Sequence, residues 1–103
     1  MQDQTDRPLV LVLEQPGFPL GFVAVTAGAL ERLSPGDIES ALNRHARADW
    51  GDMGEEDRRH NDQALRTGGG VLSVHRGGEN RERFYVITDP GHTVTTVLLP
   101  CEY

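Results

Sequence analysis

The residues of this chain that could carry out chemistry begin at His45. His45 and Asp49 are four positions apart, so on a helix the imidazole and the carboxylate lie on the same side. Such a pair suits an oriented general base or two metal ligands, but a helix-terminal histidine near a carboxylate is more often a structural pair whose members satisfy each other. Trp50 follows directly and could either fill the space between a helix and a sheet or stack on a ligand.

Asp57 and Asn61 extend this group, because they share one side of a second predicted helix. They would reach His45 if the two helices form an antiparallel hairpin. The polar residues would then form one cluster, which either ties the hairpin by hydrogen bonds or serves as an active site with water or Ser73 as the nucleophile. The candidate binding residues are therefore His45, Asp49, Trp50, Asp57 and Asn61, and we assign no catalytic residue, metal ligand or cofactor.

The other residues with metal or redox chemistry are isolated in the sequence. His60, His75 and His92 show no metal-ligand spacing, so we expect them to be exposed. Cys101 is the single cysteine, which excludes an internal disulfide and favours a reducing cytoplasm with a reduced thiol.

The composition predicts a soluble globular domain with an acidic surface. The chain has 103 residues, 37% of them hydrophobic, which is enough for one modest core. Its formal charge of −6, from 16 acidic and 10 basic residues, argues against direct nucleic-acid binding, which needs clustered Lys and Arg. The polar start and the short apolar run at 9–13 do not suggest a signal peptide or a membrane span.

Two helices are predicted to position the candidate residues. The stretch Ser-Pro-Gly-Asp at 34–37 supplies an N-cap, a first-turn proline and a favourable acid, so a helix should run to about Ala48. Its apolar stripe places His45 on the buried face or at its edge. The Asp-x-x-Glu pattern at 52–55 predicts Asp52 as the N-cap of a second helix that continues through Arg66.

The rest of the chain predicts a sheet. Strands are indicated at 9–13, 22–26, 71–75, 84–88 and 94–99, with one or two turns of helix at 29–33. The short connections between the last three strands force antiparallel pairing. We therefore predict an α+β fold: an antiparallel sheet of four to five strands with two main helices, a helical hairpin, packed on one face. Residues 1–18 form an N-terminal arm that could supply an edge strand, and residues 19–103 form a single domain.

A family resemblance is carried by Gly21 to Leu30, by His45 through Trp50-Gly51, by Glu56-Asp57 with Asn61 and Ala64-Leu65, and by Ile87-Thr88 with Thr95-Thr96 and Leu98-Leu99-Pro100. From Gly21 onward the chain resembles small proteins of bacterial plasmids and integrated mobile elements, often labelled plasmid-related proteins. The resemblance implies no particular activity. The chain departs from the pattern at His75, where an aromatic residue is usual, and at Gly91-His92, where an acid and an arginine are usual. These departures count against chemistry at that last turn.

Three functions fit these observations. The small size, the negative charge and the incomplete catalytic set favour a non-enzymatic acidic interaction protein of a mobile genetic element, with a protein partner, acting as an inhibitor or regulator of a host enzyme or defence complex. The alternative is a small hydrolase or nuclease-type toxin that uses His45, Asp49 and Asp57. A structural subunit that forms a homodimer through exposed sheet edges is compatible with either.

Overall fold

The secondary structure runs from one strand through three helices into a meander of three strands. The computed structural model describes Leu13 and residues 17–103. Within them the elements are β1 (Phe22–Val25), α1 (Ala27–Arg32), α2 (Pro35–Ala46), α3 (Glu55–Thr67), β2 (Val71–Gly77), β3 (Glu82–Thr88), β4 (Val94–Leu98) and a 3₁₀ turn (Pro100–Glu102). The predicted α+β class with two main helices against a four-stranded sheet is confirmed. The strand predicted at 9–13 lies outside the described residues, apart from the exposed Leu13.

The sheet has the strand order β1-β4-β3-β2. The meander pairs antiparallel, as its short connections require. β1, however, pairs parallel with β4, so the sheet is mixed rather than wholly antiparallel. A parallel crossover is possible here because β1 and β4 are not joined by a short connection: three helices and two strands lie between them in the sequence.

Helix α2 forms where the sequence predicts it and covers one face of the sheet. Ser34 is the N-cap, and its hydroxyl accepts a hydrogen bond from the backbone N–H of Asp37, whose carboxylate accepts one from the N–H of Ser34 in return. This capping box satisfies two backbone donors that a helix start leaves unpaired. The buried side of the helix consists of Ile38, Ala41, Leu42, His45 and Ala46. Phe18, assigned by sequence to the N-terminal arm, is buried in the same core.

Helix α3 begins later than predicted. Gly54 is its N-cap and makes no side-chain capping bond, so the prediction that Asp52 caps this helix is wrong. The Asp52 carboxylate instead forms an ion pair with Arg76 on β2, at 3.1 Å. The left-handed conformation of Gly68 ends the helix as expected. Only Asn61 is buried in α3, while Ala64 and Leu65 are half-buried against the core.

The outer edge of β2 is closed by groups from outside the sheet. The Asn61 side chain donates to the Leu72 carbonyl at 2.8 Å and accepts from the Leu72 N–H at 3.3 Å. Two residues further along β2, the Val74 N–H donates to the Trp50 carbonyl at 3.0 Å, and the Asp52 N–H donates to the Val74 carbonyl at 2.8 Å. Backbone groups that would otherwise recruit another strand are therefore occupied.

Side chains along β2 alternate between the two faces of the sheet. Ser73 and His75 point toward α2, so Leu72 and Arg76 point the opposite way. Strand pairing extends this second set across the sheet, and we call it the open face: Phe22, Ala24, Leu72, Val74, Arg76, Arg83, Tyr85, Ile87, Val94, Thr96 and Leu98. Val74 and Leu98 are buried, and the other side chains of the open face are half-buried or exposed.

Removing the Asn61 side chain should destabilise the fold. Asn61→Ala leaves the backbone N–H and C=O of Leu72 without these partners, and we expect a loss of about 1–3 kcal/mol in the free energy of unfolding. Urea denaturation measures this loss. Gln63→Ala, on the exposed side of the same helix, is the matched control and should change stability by less than about 0.5 kcal/mol. Equal effects of the two substitutions would contradict the edge-closing role.

Candidate functional site

His45 lies at the centre of the candidate site and is completely buried. The apolar stripe of α2 turns its ring toward the sheet, where Nδ1 lies 2.7 Å from the Ser73 hydroxyl and Nε2 lies 2.8 Å from the Thr88 hydroxyl. The rings of Phe18 and Trp50 pack against it with centroid distances of 5.6 and 5.5 Å. Both ring nitrogens of His45 therefore have partners inside an otherwise apolar core.

The hydrogen bonds of His45 continue through Thr88 to Thr95, and the bond that Thr95 makes fixes the direction of all of them. The Thr95 hydroxyl donates its only proton to the Leu20 carbonyl, at 2.7 Å. It must then accept from the Thr88 hydroxyl, which lies 2.8 Å away. With its own proton used, Thr88 can only accept from Nε2–H of His45. The neutral His45 ring is therefore the Nε2–H tautomer, with a bare Nδ1.

The hydrogen bonds on the Nδ1 side of the His45 ring also have a fixed direction. Because Nδ1 of His45 carries no proton, the Ser73 hydroxyl donates to it. Ser73 must then accept from Nε2–H of His75, which lies 2.8 Å away. A single directed chain results, running from His75 through Ser73, His45, Thr88 and Thr95 to the carbonyl of Leu20. We call it the buried relay.

Burial keeps both histidines of the buried relay neutral at physiological pH. Desolvation, with smaller contributions from the nearby His75 and His92, lowers the pKa of His45 from 6.5 to about 3. Desolvation also lowers the pKa of His75 to about 4, with Arg44 adding to the effect and Asp49 opposing it. Neutral rings are what the tautomer assignment requires.

Ser73 is not poised as a nucleophile. A Ser–His pair activates serine when the imidazole can take its proton near the working pH and the oxygen can reach a substrate. Here the base has a pKa of about 3, and Ser73 has an exposed fraction of 0%. The Ser73 oxygen also accepts a hydrogen bond from His75, which draws electron density away from it. This geometry fits a structural role for the buried relay.

The other candidate residues occupy separate places. The Asp49 carboxylate accepts from Nε of Arg44 at 2.8 Å and from the backbone N–H of Gly51 at 3.2 Å, on the surface. The hydrogen bonds from Arg44 are the main reason that the pKa of Asp49 lies below its usual value. Trp50 is buried in the core, and its indole N–H donates to Asp62 at 2.9 Å. Trp50 thus fills the gap between helix and sheet.

The predicted single cluster does not form. Asn61 is engaged with the backbone of Leu72, and Asp57 is exposed on α3, where it lines a shallow surface depression with His60. Of the five candidates, only His45 and Trp50 are in ring contact. The His45 ring turns toward the sheet rather than toward α3, because the hydroxyls of Ser73 and Thr88 lie directly beneath α2.

Three members of the buried relay were not identified from the sequence: His75, Thr88 and Thr95. The prediction that His75 is exposed is wrong: it is 3% exposed, because odd-numbered positions of β2 face α2. His92 is half-buried, with Nε2 at 3.0 Å from the Gly69 carbonyl, and His60 is exposed as expected. The usable signal was strand alternation, which assigns Ser73 and His75 to the same side as Val71.

The described residues contain no group of three or more His, Cys, Asp or Glu side chains placed to hold a metal ion. In the same part of the chain, no helix has both the length and the apolar character needed to cross a membrane. Comparison of the chain with protein families, with curated proteins and with solved structures finds no match. The resemblance to plasmid-related proteins therefore stays a prediction.

Acid should destabilise the protein in a defined pH range. Unfolded histidines bind protons near pH 6.5, whereas the folded pKa values are about 3 for His45 and about 4 for His75. The unfolded state therefore binds more protons, and stability should fall by about 1.4 kcal/mol per pH unit for each histidine as the pH drops from about 6.5 toward 4. Asp37 and Asp49, whose pKa values are lowered in the fold, lose their contribution only below this range.

Urea unfolding at several pH values between 7 and 5 measures this slope. His75→Gln keeps a side-chain donor for Ser73 but removes one of the two titrating rings, so the slope should fall to roughly half. A slope that is unchanged in His75→Gln would contradict the assignment of acid sensitivity to the buried relay.

Proposed function

We propose that this chain is a non-enzymatic interaction protein that binds a protein partner through the open face of its sheet. The observation that carries the proposal is a mainly apolar row of half-buried side chains, three aliphatic and one threonine, that crosses all four strands. The strand pairing places Ala24 beside Thr96, Thr96 beside Ile87, and Ile87 beside Leu72. A continuous, partly exposed apolar strip on a small protein is typical of an interaction surface.

Aromatic side chains flank this strip. Phe22 is 73% exposed, and it lies on the open face as the pairing neighbour of Val94. Tyr103 is 79% exposed and packs edge-on against Tyr85, with a centroid distance of 5.9 Å. Exposed aromatic residues around an apolar centre supply large contact areas at low conformational cost, and they dominate the energetics of many interfaces.

One end of the open face carries positive charge, which defines the partner's chemistry. Arg76 and Arg83 are paired across β2 and β3, and they share a hollow of about 410 Å³ with Arg32, Glu82 and Pro100. Arg76 forms an ion pair with Asp52 and Arg32 forms one with Glu82, so the three arginines exceed the two acids by one positive charge, on a chain whose formal charge is −6. Complementary charge fixes orientation at an interface. The partner proposed here is a protein segment with apolar side chains followed by carboxylates.

The biological role belongs to the same proposal. The resemblance to plasmid-related proteins and the acidic composition support an inhibitor or regulator of a host enzyme or defence complex, encoded by a mobile element. The single exposed Cys101 fits a reducing cytoplasm. A homodimer remains an alternative occupant of the open face, and size measurement of the purified chain distinguishes it from a separate partner.

A hydrolase built on Ser73 and His45 is the second candidate, because the Ser73 hydroxyl donates to an imidazole nitrogen as in nucleophilic serine sites. Complete burial of Ser73 and the low pKa of His45 rank it below the interaction protein. A serine-reactive phosphonate probe separates the two: labelling of Ser73 in the folded protein would favour the hydrolase, and we expect none.

Selection from a random peptide display library tests the proposed partner chemistry. Binding peptides should be enriched in apolar residues next to Asp or Glu, and Ile87→Glu should weaken their binding at least about tenfold, since it places a charge in the apolar row. Gln63→Glu adds the same charge on the exposed side of α3 and should bind like the wild type. Circular dichroism verifies that both variants fold.

Equal binding of the selected peptides to wild type and Ile87→Glu would contradict the placement of the site on the open face. Enriched peptides without carboxylates would contradict the role of the arginine end. In that experiment Arg83→Glu provides a further check, because reversal of the charge should shift selection toward basic peptides.

A further inference from the structure

The buried relay ends at a ring nitrogen that has no hydrogen-bond partner among the described residues. This atom is Nδ1 of His75, in a side chain that is only 3% exposed. The backbone of Gly51 lies against it, since a methyl group added to Gly51 would lie 3.2 Å from Nδ1. Because the proton of the neutral His75 ring is on Nε2, Nδ1 is unprotonated, and its lone pair is free to accept a proton.

We propose that His75, Ser73 and His45 form one proton-binding unit, in which a single proton enters at Nδ1 of His75 and is shared with His45 through the Ser73 hydroxyl. The heavy atoms are already in place. Nε2 of His75 lies 2.8 Å from the Ser73 oxygen, which lies 2.7 Å from Nδ1 of His45. Proton transfer therefore requires no ring rotation and no movement of the backbone.

The transfer balances in protons and charge. An acid in solution, hydronium or a buffer acid, gives a proton to Nδ1 of His75, and the ring becomes cationic with both nitrogens protonated. The Nε2–H bond of His75 then breaks as a new O–H bond forms on Ser73, while the original Ser73 proton moves to Nδ1 of His45. His75 ends neutral with its proton on Nδ1, His45 carries the positive charge, and no electrons are exchanged.

The entry point lies at the end of the unit nearest the solvent. His45 is completely enclosed, whereas His75 lines a cavity of about 170 Å³ with the charged residues Asp37, Arg44, Arg76 and Arg81. Among charged groups, Arg44 opposes a proton on His75 and Asp49 favours it. The Asp49 carboxylate accepts from the N–H of Gly51, so it belongs to the same segment that lies against Nδ1.

The unit binds one proton rather than two. If both rings were cationic, both would have to donate to the Ser73 oxygen, and the Ser73 proton would lose its acceptor. The two positive charges would also repel each other in a poorly solvated core, where His92 further disfavours a positive charge on His45. Phe18 and Trp50, the rings packed against His45, offer no counter-charge. The two histidines should therefore titrate as a coupled pair.

Nitrogen-15 NMR of the full chain, labelled at histidine, tests the proposal. At neutral pH both His45 and His75 should appear as Nε2–H tautomers. On acidification, signals of both rings should change with one common midpoint, and the total uptake should be one proton while the backbone amide spectrum is still that of the folded protein. In Ser73→Ala the common midpoint should be lost, because the connecting hydroxyl is gone.

Ser40→Ala is the control, because it removes an exposed hydroxyl that lines the same cavity without belonging to the buried relay. It should keep the common midpoint. An Nδ1–H tautomer of His45 at neutral pH would overturn the proposal, and this readout needs no variant should Ser73→Ala fail to fold. Separate midpoints in the wild type, a common midpoint retained in Ser73→Ala, or unfolding before any proton uptake would each overturn it as well.

Discussion

The two hydrogen bonds of the buried His45 ring are the interaction on which the rest of this fold depends. They join α2 to β2 through Ser73 and to β3 through Thr88, and the chain continues to β4 and to Leu20. A polar group in a core is tolerated only when it is satisfied, so each partner must be present at its position. A slip of one residue in any of these strands would turn the required hydroxyl to the other face.

This requirement separates the helix-covered side of the sheet from the side proposed to bind a partner. The side of the sheet under α2 holds the neutral polar groups of the buried relay, all hydrogen-bonded except Nδ1 of His75, and the edge of β2 is closed by Asn61 and by the segment around Gly51. A side chain at Gly51 would overlap the Val74 carbonyl oxygen, so close backbone approach there depends on glycine. Both the helix-covered face and the β2 edge are thus committed, and the open face, the proposed binding surface, presents half-buried and exposed apolar side chains.

Local sequence patterns were sufficient for much of this architecture. The Ser-Pro-Gly-Asp start and the apolar stripe predicted α2 and the burial of His45, and strand alternation with short turns predicted the meander. These features depend on neighbours along the chain, which a sequence displays directly. The parallel pairing of β1 and the use of Asp52 in an ion pair with Arg76 depend on distant partners, so local patterns could not predict them.

The candidate site was less predictable for the same reason. His45 was identified, but its proposed partners on α3 compete with closer hydroxyls on the sheet, which the sequence shows only as ordinary Ser and Thr residues in strands. The burial of His75 could have been inferred from its alternation with Ser73. The directed order of the hydrogen bonds could not, because it follows from the Thr95 bond to Leu20, between positions that are far apart in the chain.

A double-mutant cycle between His45→Leu and Thr88→Val tests the central claim most directly, with the free energy of unfolding measured by urea denaturation. Each single substitution leaves a buried polar atom of the other residue without its partner, whereas the double substitution removes both. The loss in the double variant should therefore be smaller than the sum of the two single losses by about 1 kcal/mol or more. Additive losses would contradict a fold organised around the His45 hydrogen bonds.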